Sequence, residues 1–323
     1  MNKFYKLSII TVLVLIVFTL GGCSALNNSL LDNTDTGQLV LSVADAPAEL
    51  QSVNVAIDEI LVHNATTEEW ITLEDFESDE YENGSKEVNL LDYQLDELAI
   101  ADKQIPEGDY NQIRLILDGE KEKEGSGPPI LTNSTIEYVK DGNEESENIF
   151  VPSEKLIINA ENNDHEFNAF RVSEDGVTRI VLDFDVSSLK RQIDGTTNKP
   201  TIILEPTAID VVNDSITSSI VGEIVLEDSI SSDIDLIETE VNIEIVDNED
   251  SVVKSTSSII NDPETAGQFK LRGIEKGEYT IKASVEVDSV SYSAEKNIEI
   301  SSEDIDDPSP KNIGEITLTE VTQ

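Results

Sequence analysis

Apolar and polar positions alternate with period two along most of the chain. Val53, Val55 and Ile57 are spaced by Asn54 and Ala56, and Ile113, Leu115 and Leu117 by Arg114 and Ile116. Ile180, Leu182 and Phe184 follow the same rule, as do Val241, Ile243 and Ile245. Period two with β-branched residues predicts half-buried strands. Turn formers separate the runs: Asn83-Gly84, Glu107-Gly108-Asp109, Asp141-Gly142-Asn143, Asp175-Gly176, Asp194-Gly195 and Lys276-Gly277. One stretch predicts a helix, Asp92–Ala101, where Leu95, Leu98 and Ala99 share a face. Many short strands with regular turns predict an all-β chain of two antiparallel β-sandwich domains. Pro200–Val212 reads as a closing strand, and polar Asn213-Asp214-Ser215 then divides the chain into domains over 37–212 and 217–323.

The two halves share an echo. Ile105-Pro106-Glu107-Gly108-Asp109-Tyr110 leads into one strand, and Ile274-Glu275-Lys276-Gly277-Glu278-Tyr279 into another. Glycine supplies the turn, and the tyrosine starts the strand with its ring packed and its hydroxyl at the rim, like a tyrosine corner.

The pattern changes at the N-terminus. Lys3 and Lys6 precede an almost wholly apolar run, Leu7–Leu20. That run is short of the roughly 20 residues that span a bilayer, and reads as a secretory signal. Leu20-Gly21-Gly22-Cys23 resembles a bacterial lipobox, with small residues before the cysteine that accepts lipid. The resemblance implies a signal peptide over 1–22, cleavage before Cys23, and acylation of its sulfur and new amino group. The membrane lipid is then a partner, reached through Cys23, with the protein exported and lipid-anchored to the cell envelope. Ser24, rather than Asp, at the next position resembles an outer-membrane destination if the cell has two membranes; with one, the outer leaflet holds it. The lipidated tether, 23–36, is rich in Asn, Ser, Thr and Asp, and spans roughly 20 Å as a flexible chain.

Composition sharpens this reading. The 323 residues hold 67 Asp and Glu against 21 Lys and Arg, for a net charge of −46. Such a balance excludes nucleic acid as a partner, because phosphate binding needs clustered cations. A single Cys excludes an internal disulfide framework, and with two His it excludes the usual Cys/His zinc cluster. Residues 23–215 hold 42 acids and 12 bases, and residues 216–323 hold 25 and 7. The acid excess is thus spread evenly, as expected of a surface adapted to high salt rather than of one dedicated metal site.

The first sandwich carries Gly37-Gln38-Leu39 through Ala44-Asp45-Ala46-Pro47, Trp70-Ile71-Thr72-Leu73, Val88-Asn89-Leu90-Leu91, Ile105 through Leu115, Val151-Pro152-Ser153 and Leu182-Asp183-Phe184-Asp185. In the order and spacing of these motifs it resembles the bacterial lipoprotein family known as domain of unknown function 4382. Glu154 departs from the pattern, which has Gly after Pro-Ser. The family implies an exported β-sandwich lipoprotein without an assigned activity. The second sandwich carries Ile220-Val221-Gly222-Glu223-Ile224 and Gly267-Gln268-Phe269-Lys270-Leu271-Arg272-Gly273-Ile274 through Ile281. These segments resemble a carboxypeptidase-regulatory-like module of prealbumin or starch-binding-like topology, and with the first resemblance they imply Ig-like or prealbumin-like sandwiches. Some modules of that topology bind carbohydrate.

The sequence holds no nucleophile elbow, His-Glu-x-x-His motif, phosphate loop or dinucleotide fingerprint. His63 and His165 read as surface histidines, and no enzyme and no resident cofactor are expected. Trp70, flanked by Glu68, Glu69 and Thr72, is the candidate ligand-binding aromatic; Phe269, Tyr279 and Tyr292 are the others available in the second sandwich. For calcium, which takes six to eight oxygen ligands, the acidic stretches are Glu74–Glu82, Asp183 with Asp185, and Glu303–Asp307. The expected role is non-catalytic binding or scaffolding at the envelope, toward an envelope protein or a glycan. A carbohydrate-binding lipoprotein and a calcium-stabilised adhesin are the alternatives.

Overall fold

In the computed structural model each quoted alternation is a strand or ends against one, because one face of each strand is buried in an apolar core. The structure describes residues 35–46, 50–76, 84–119, 130–140, 142–151, 155–159, 169–193, 200–231 and 234–321. Leu20, Gly21, Gly22, Cys23, the tether, Glu77–Glu82, His165 and the Asp194-Gly195 turn lie outside the described residues.

The first half contains β1 (Thr36–Asp45), β2 (Ser52–Asn64), β3 (Glu69–Asp75), β4 (Lys86–Asn89), β5 (Leu98–Pro106), β6 (Gly108–Leu117) and β7 (Ile130–Lys140). It continues with β8 (Asn143–Phe150), β9 (Lys155–Asn159), β10 (Phe170–Val172), β11 (Val177–Phe184), β12 (Lys190–Ile193), β13 (Pro200–Ile203) and β14 (Ile209–Asn213). The second half contains β15 (Ser218–Leu226), β16 (Asn242–Val246), β17 (Val252–Ser257), β18 (Gln268–Ile274), β19 (Gly277–Val287), β20 (Val290–Ile300) and β21 (Lys311–Glu320), with one short helix, α1 (Ser302–Asp306).

A four-stranded sheet, β14-β11-β1-β5, lies with a ten-stranded sheet whose path is β10-β6-β2-β7-β8-β13-β12; β3 and β4 add to β2, and β9 to β6. Leu39, Leu41 and Val43 of the smaller sheet and Val55, Ile60, Val62, Ile113 and Leu115 of the larger belong to one buried cluster. The second half forms a seven-stranded sheet, β17-β16-β19-β20-β21-β15-β18, around a separate cluster that includes Ile220, Ile243, Ile245, Phe269 and Ile281. Thr36–Gln323 nevertheless forms one compact unit. The sheets are not wholly antiparallel: β1 pairs with β11, β8 with β13 and β15 with β21 in parallel. Parallel neighbours need long crossovers, which period-two patterning does not reveal.

The echo is one construction built twice. Tyr110 Oη donates to Pro106 O at 2.7 Å, and Tyr279 Oη donates to Glu275 O at 3.1 Å, each reaching back four residues over its turn. Tyr110 is buried and stacks on Phe170, with ring centroids 5.5 Å apart. Gly108 adopts φ +154°, where a Cβ would also sit 2.9 Å from Asn64 Nδ2.

The helix expected over Asp92–Ala101 does not form. Leu90–Tyr93 makes a single 3₁₀ turn, and the chain is extended from Leu98. β5 pairs there with β1, Leu98 opposite Val43 and Ala101 opposite Leu41. Tertiary pairing overrides local propensity. The carbonyls that a helix would have used internally go elsewhere, as described next.

Candidate functional site

Two polar constellations stand out, one buried and one on a sheet face. The buried one begins with β18, whose sequence Gln268-Phe269-Lys270-Leu271-Arg272 alternates apolar and cationic residues. Successive side chains of a strand point to opposite faces. Phe269 and Leu271 enter the core of the second half. Lys270 and Arg272 therefore face the first half, and both are buried. Arg272 Nη1 donates to Asp183 Oδ1 at 3.1 Å and to Asp45 O at 3.4 Å. Its Nη2 points at the carbonyls of Tyr93, Gln94 and Asp96, at 3.2, 3.0 and 3.1 Å. Glu97 Oε1 accepts from Lys270 Nζ at 2.8 Å and from Arg272 Nε at 3.4 Å. The Tyr93–Glu97 segment is unwound because its carbonyls are spent on this guanidinium. Lys254 with Asp210, 3.1 Å apart, adds an ion pair between the halves, and Gly273 brings its backbone against Val212.

Burial governs the acids around this cation. It raises the Asp183 carboxyl, against which Arg272 pulls down. It raises Asp45 further, with the Asp183 charge adding to it; the Val186 amide only partly offsets this, and neither Asp45 carboxylate oxygen accepts a well-formed hydrogen bond. Asp214 is pushed up to about 6 by burial first and then by Glu97. Two acids singled out for calcium thus have other partners. Asp183 serves Arg272, and Asp185 caps a 3₁₀ turn by accepting from Ser187 N at 3.1 Å. In Glu303–Asp307, Asp304 closes a capping box with Ser301 and accepts two 2.9 Å bonds from Lys311; the Ser301 hydroxyl first, and then Lys311, hold its carboxyl down at about 2. Among the described residues, no three Asp, Glu, His or Cys side chains gather where they could hold a metal ion.

The second constellation lies on the outer face of β3-β2-β6-β9. Val62, Ile113, Leu115, Leu156 and Ile158 point into the core, so their neighbours along each strand point out. His63 is opposite Trp70 on one side and Gln112 on the other; Leu61 is opposite Thr72 and Arg114; Gln112 is opposite Asn159. Trp70 consequently reaches across β2. Its ring carries the Arg114 guanidinium, 3.6 Å from the ring centroid, and tilts against His63 at 4.9 Å between centroids. Arg114 Nε donates to Gln112 Oε1 at 3.2 Å, and Gln112 Nε2 donates to Asn159 Oδ1. His63 Nδ1 lies 2.8 Å from Asn111 Oδ1. Each planar group is held by the next, which fixes a half-exposed row of one indole, one imidazole, one guanidinium and three amides.

The sequence pointed to Trp70, but not to Arg114, His63 or the amides, which only the strand register brings together. It gave a weak signal for Arg272: a cation inside an apolar strand. The aromatics of the second half offer no open platform. Phe269 and Tyr292 are buried, and Tyr279 packs on Gly277. An open hollow of about 670 Å³ there is lined by residues such as Glu240, Asn242, Ser257 and Ser284, with no cation among its lining residues.

Residues 36–206, just over half of the chain, match the family model described as Domain of unknown function (DUF4382). No curated protein matches. Among solved structures, the Bacillus anthracis TIE protein is 12% identical over 89% of this chain and 34% of its own, with a TM-score of 0.20. This chain therefore spans about a third of that protein's length. GBS52, the minor pilin of Streptococcus agalactiae, is 11% identical over 89% and 97%, with a TM-score of 0.20. A putative polysaccharide binding protein (DUF1812) from Bacteroides thetaiotaomicron is 10% identical over 88% and 99%, also at 0.20. Likenesses at this level carry no argument, and the all-β fold rests on the strands and their registers.

Proposed function

The chain belongs to the family described as Domain of unknown function (DUF4382), and from that premise we propose that it is a non-catalytic, lipid-anchored binding protein of the cell envelope. Its ligand is a glycan, taken on the outer face around Trp70. The observation that carries the reading is the row of planar groups on that face: Trp70, Arg114, His63, Gln112 and Asn159. An indole offers a sugar ring an apolar flank, while amide and guanidinium edges offer hydrogen bonds to hydroxyls. Support for the anchor is the charged start, the apolar run and Leu20-Gly21-Gly22-Cys23. Two or more acyl chains, at about 0.8 kcal/mol per buried CH₂, hold a protein stably on a membrane.

Each half of the reading has its own test. Cys23→Ala releases the protein from membranes into the soluble fraction; retention by membranes sinks the anchor. On a glycan array, the wild-type protein binds and Trp70→Ala does not. An array blank for the wild type, or unchanged by the substitution, sinks the binding face.

A further inference from the structure

Within that reading, the charge on the face selects the class of glycan. The chain carries 67 acidic residues against 21 basic ones, so a cation with carboxylate neighbours is the default expectation. Seven of the described cations follow it: Arg171, Lys190, Lys254, Lys270, Arg272, Lys282 and Lys311 all pair with acids. Lys103, Lys276 and Lys296 donate to uncharged oxygens instead. Arg114 likewise pairs with no acid among the described residues, and unlike those lysines it is laid on an aromatic ring: its Nε donates to Gln112 and its guanidinium lies over Trp70. Glu59, on β2 opposite Ile116, accepts from Thr72 Oγ1 at 3.0 Å.

Stacking uses the flat face of a guanidinium and leaves its N–H edge in plane, where a carboxylate is bound by two parallel hydrogen bonds. Gln112, steadied by Asn159, fixes the guanidinium through Nε, so the Nη1 and Nη2 donors are presented without a further loss of rotamer freedom. From these positions we infer that the face recognises an acidic polysaccharide, with the carboxylate of a uronic acid residue held by Arg114 and its sugar ring against the Trp70–His63 edge. The amides on this face, Gln112 at Arg114, Asn159 at Gln112 and Asn111 at His63, supply further hydrogen-bonding edges for ring hydroxyls. The hydroxyls of a neutral glycan meet the guanidinium edge with single neutral hydrogen bonds; a uronate carboxylate meets it with two parallel charge-assisted ones.

The inference rests on the glycan reading and is separable from it. The experiment is affinity electrophoresis of the full-length protein in gels containing polygalacturonate, alginate or hyaluronan, at about 0.5 M NaCl so that the acid excess of the protein is screened. Fully methyl-esterified polygalacturonate is the matched neutral gel. The expected result is retardation by at least one of the three polyuronates, at least tenfold weaker on the methyl ester and at least tenfold weaker for Arg114→Gln. Arg114→Lys keeps the charge without the fork and recovers only part of the binding. Melting temperatures of both variants match the wild type, since Arg114 is outside the core. Equal retardation by the ester, or by Arg114→Gln, overturns the uronate assignment and leaves the glycan reading standing. No retardation by any of the three polyuronates overturns the assignment; binding to a neutral glycan on the array in that case keeps the broader reading.

Discussion

Arg272 Nη1 lies 3.1 Å from Asp183 Oδ1, and neither side chain is open to solvent: the guanidinium is 1% exposed and the carboxylate 12%. Arg272 sits on β18 of the second half and Asp183 on β11 of the first. The pair, with four first-half carbonyls also turned on the same guanidinium, joins the two halves.

Removing one member strands the other. Arg272→Ala leaves Asp183 buried without its cation and four carbonyls without a donor. The expected loss is about 3–5 kcal/mol of unfolding free energy. Replacing both residues with apolar ones of similar volume, Arg272→Met with Asp183→Leu, recovers part of it, because no uncompensated charge remains. Urea denaturation checks both; a loss under about 1 kcal/mol for Arg272→Ala would show that solvent reaches the pair.

How much of this was legible beforehand depends on range. The strands at Val53–Ile57, Ile113–Leu117 and Ile180–Phe184, and the two tyrosine corners, follow from alternation and turn chemistry, which act locally. The helix expected at Asp92–Ala101 failed because its carbonyls bind Arg272, about 180 residues away along the chain. The calcium candidacy of Asp183 rests on its acid character, whereas the fold sets Arg272 of β18 beside it, 3.1 Å away. Trp70 was visible as the lone tryptophan, but Arg114 becomes its neighbour only through the β3-β2-β6 register. Local pattern thus gives the elements, and pairing across the sheets gives the site.

Asp214 makes stability depend on pH in the less common direction. Its carboxyl is pushed up to about 6 in the folded protein, against an ordinary value of 3.8, chiefly by burial. Between these values the folded state holds a proton that the unfolded state has released, so this group's contribution to stability falls as pH rises from about 4 to about 6. Asp214→Asn should be more stable than the wild type at pH 7, by about 1 kcal/mol after allowing for solvent screening at a half-buried site, and equal to it below pH 4. Urea midpoints at the two pH values check this. A difference that is the same at both would assign the effect to packing.

Gly222 is required by a neighbour rather than by its own backbone. A Cβ there would lie 2.6 Å from Phe269 Cζ and 3.1 Å from Ile313 Cγ1. Phe269 is fully buried and has no room to withdraw. Gly222→Ala should cost about 1–3 kcal/mol through overpacking. Gly222→Ala combined with Phe269→Leu should recover part of that, which thermal denaturation of the four proteins in the cycle would measure. Additive losses would place the strain elsewhere.

The acid excess should make the folded protein weakest at low ionic strength. Net charge is −46, and the described ion pairs outside the Arg272 centre are mostly exposed: Arg171 with Asp109 is more than half exposed on both sides, and Asp250, paired with Lys282, is 82% exposed. Such pairs contribute little, so screening them costs little. The repulsion among the remaining carboxylates acts over longer distances and is what salt removes, with the Debye length falling from about 10 Å at 0.1 M to about 3 Å at 1 M. The buried Arg272–Asp183 pair is largely shielded from that screening. The thermal midpoint should therefore rise with NaCl toward molar concentration. It should rise by a similar amount in Arg272→Ala, since the salt effect belongs to the surface and not to the buried centre. A midpoint that stays flat with salt would mean that the acids are spaced widely enough to ignore one another, and a rise confined to the wild type would move the effect to the interface between the halves.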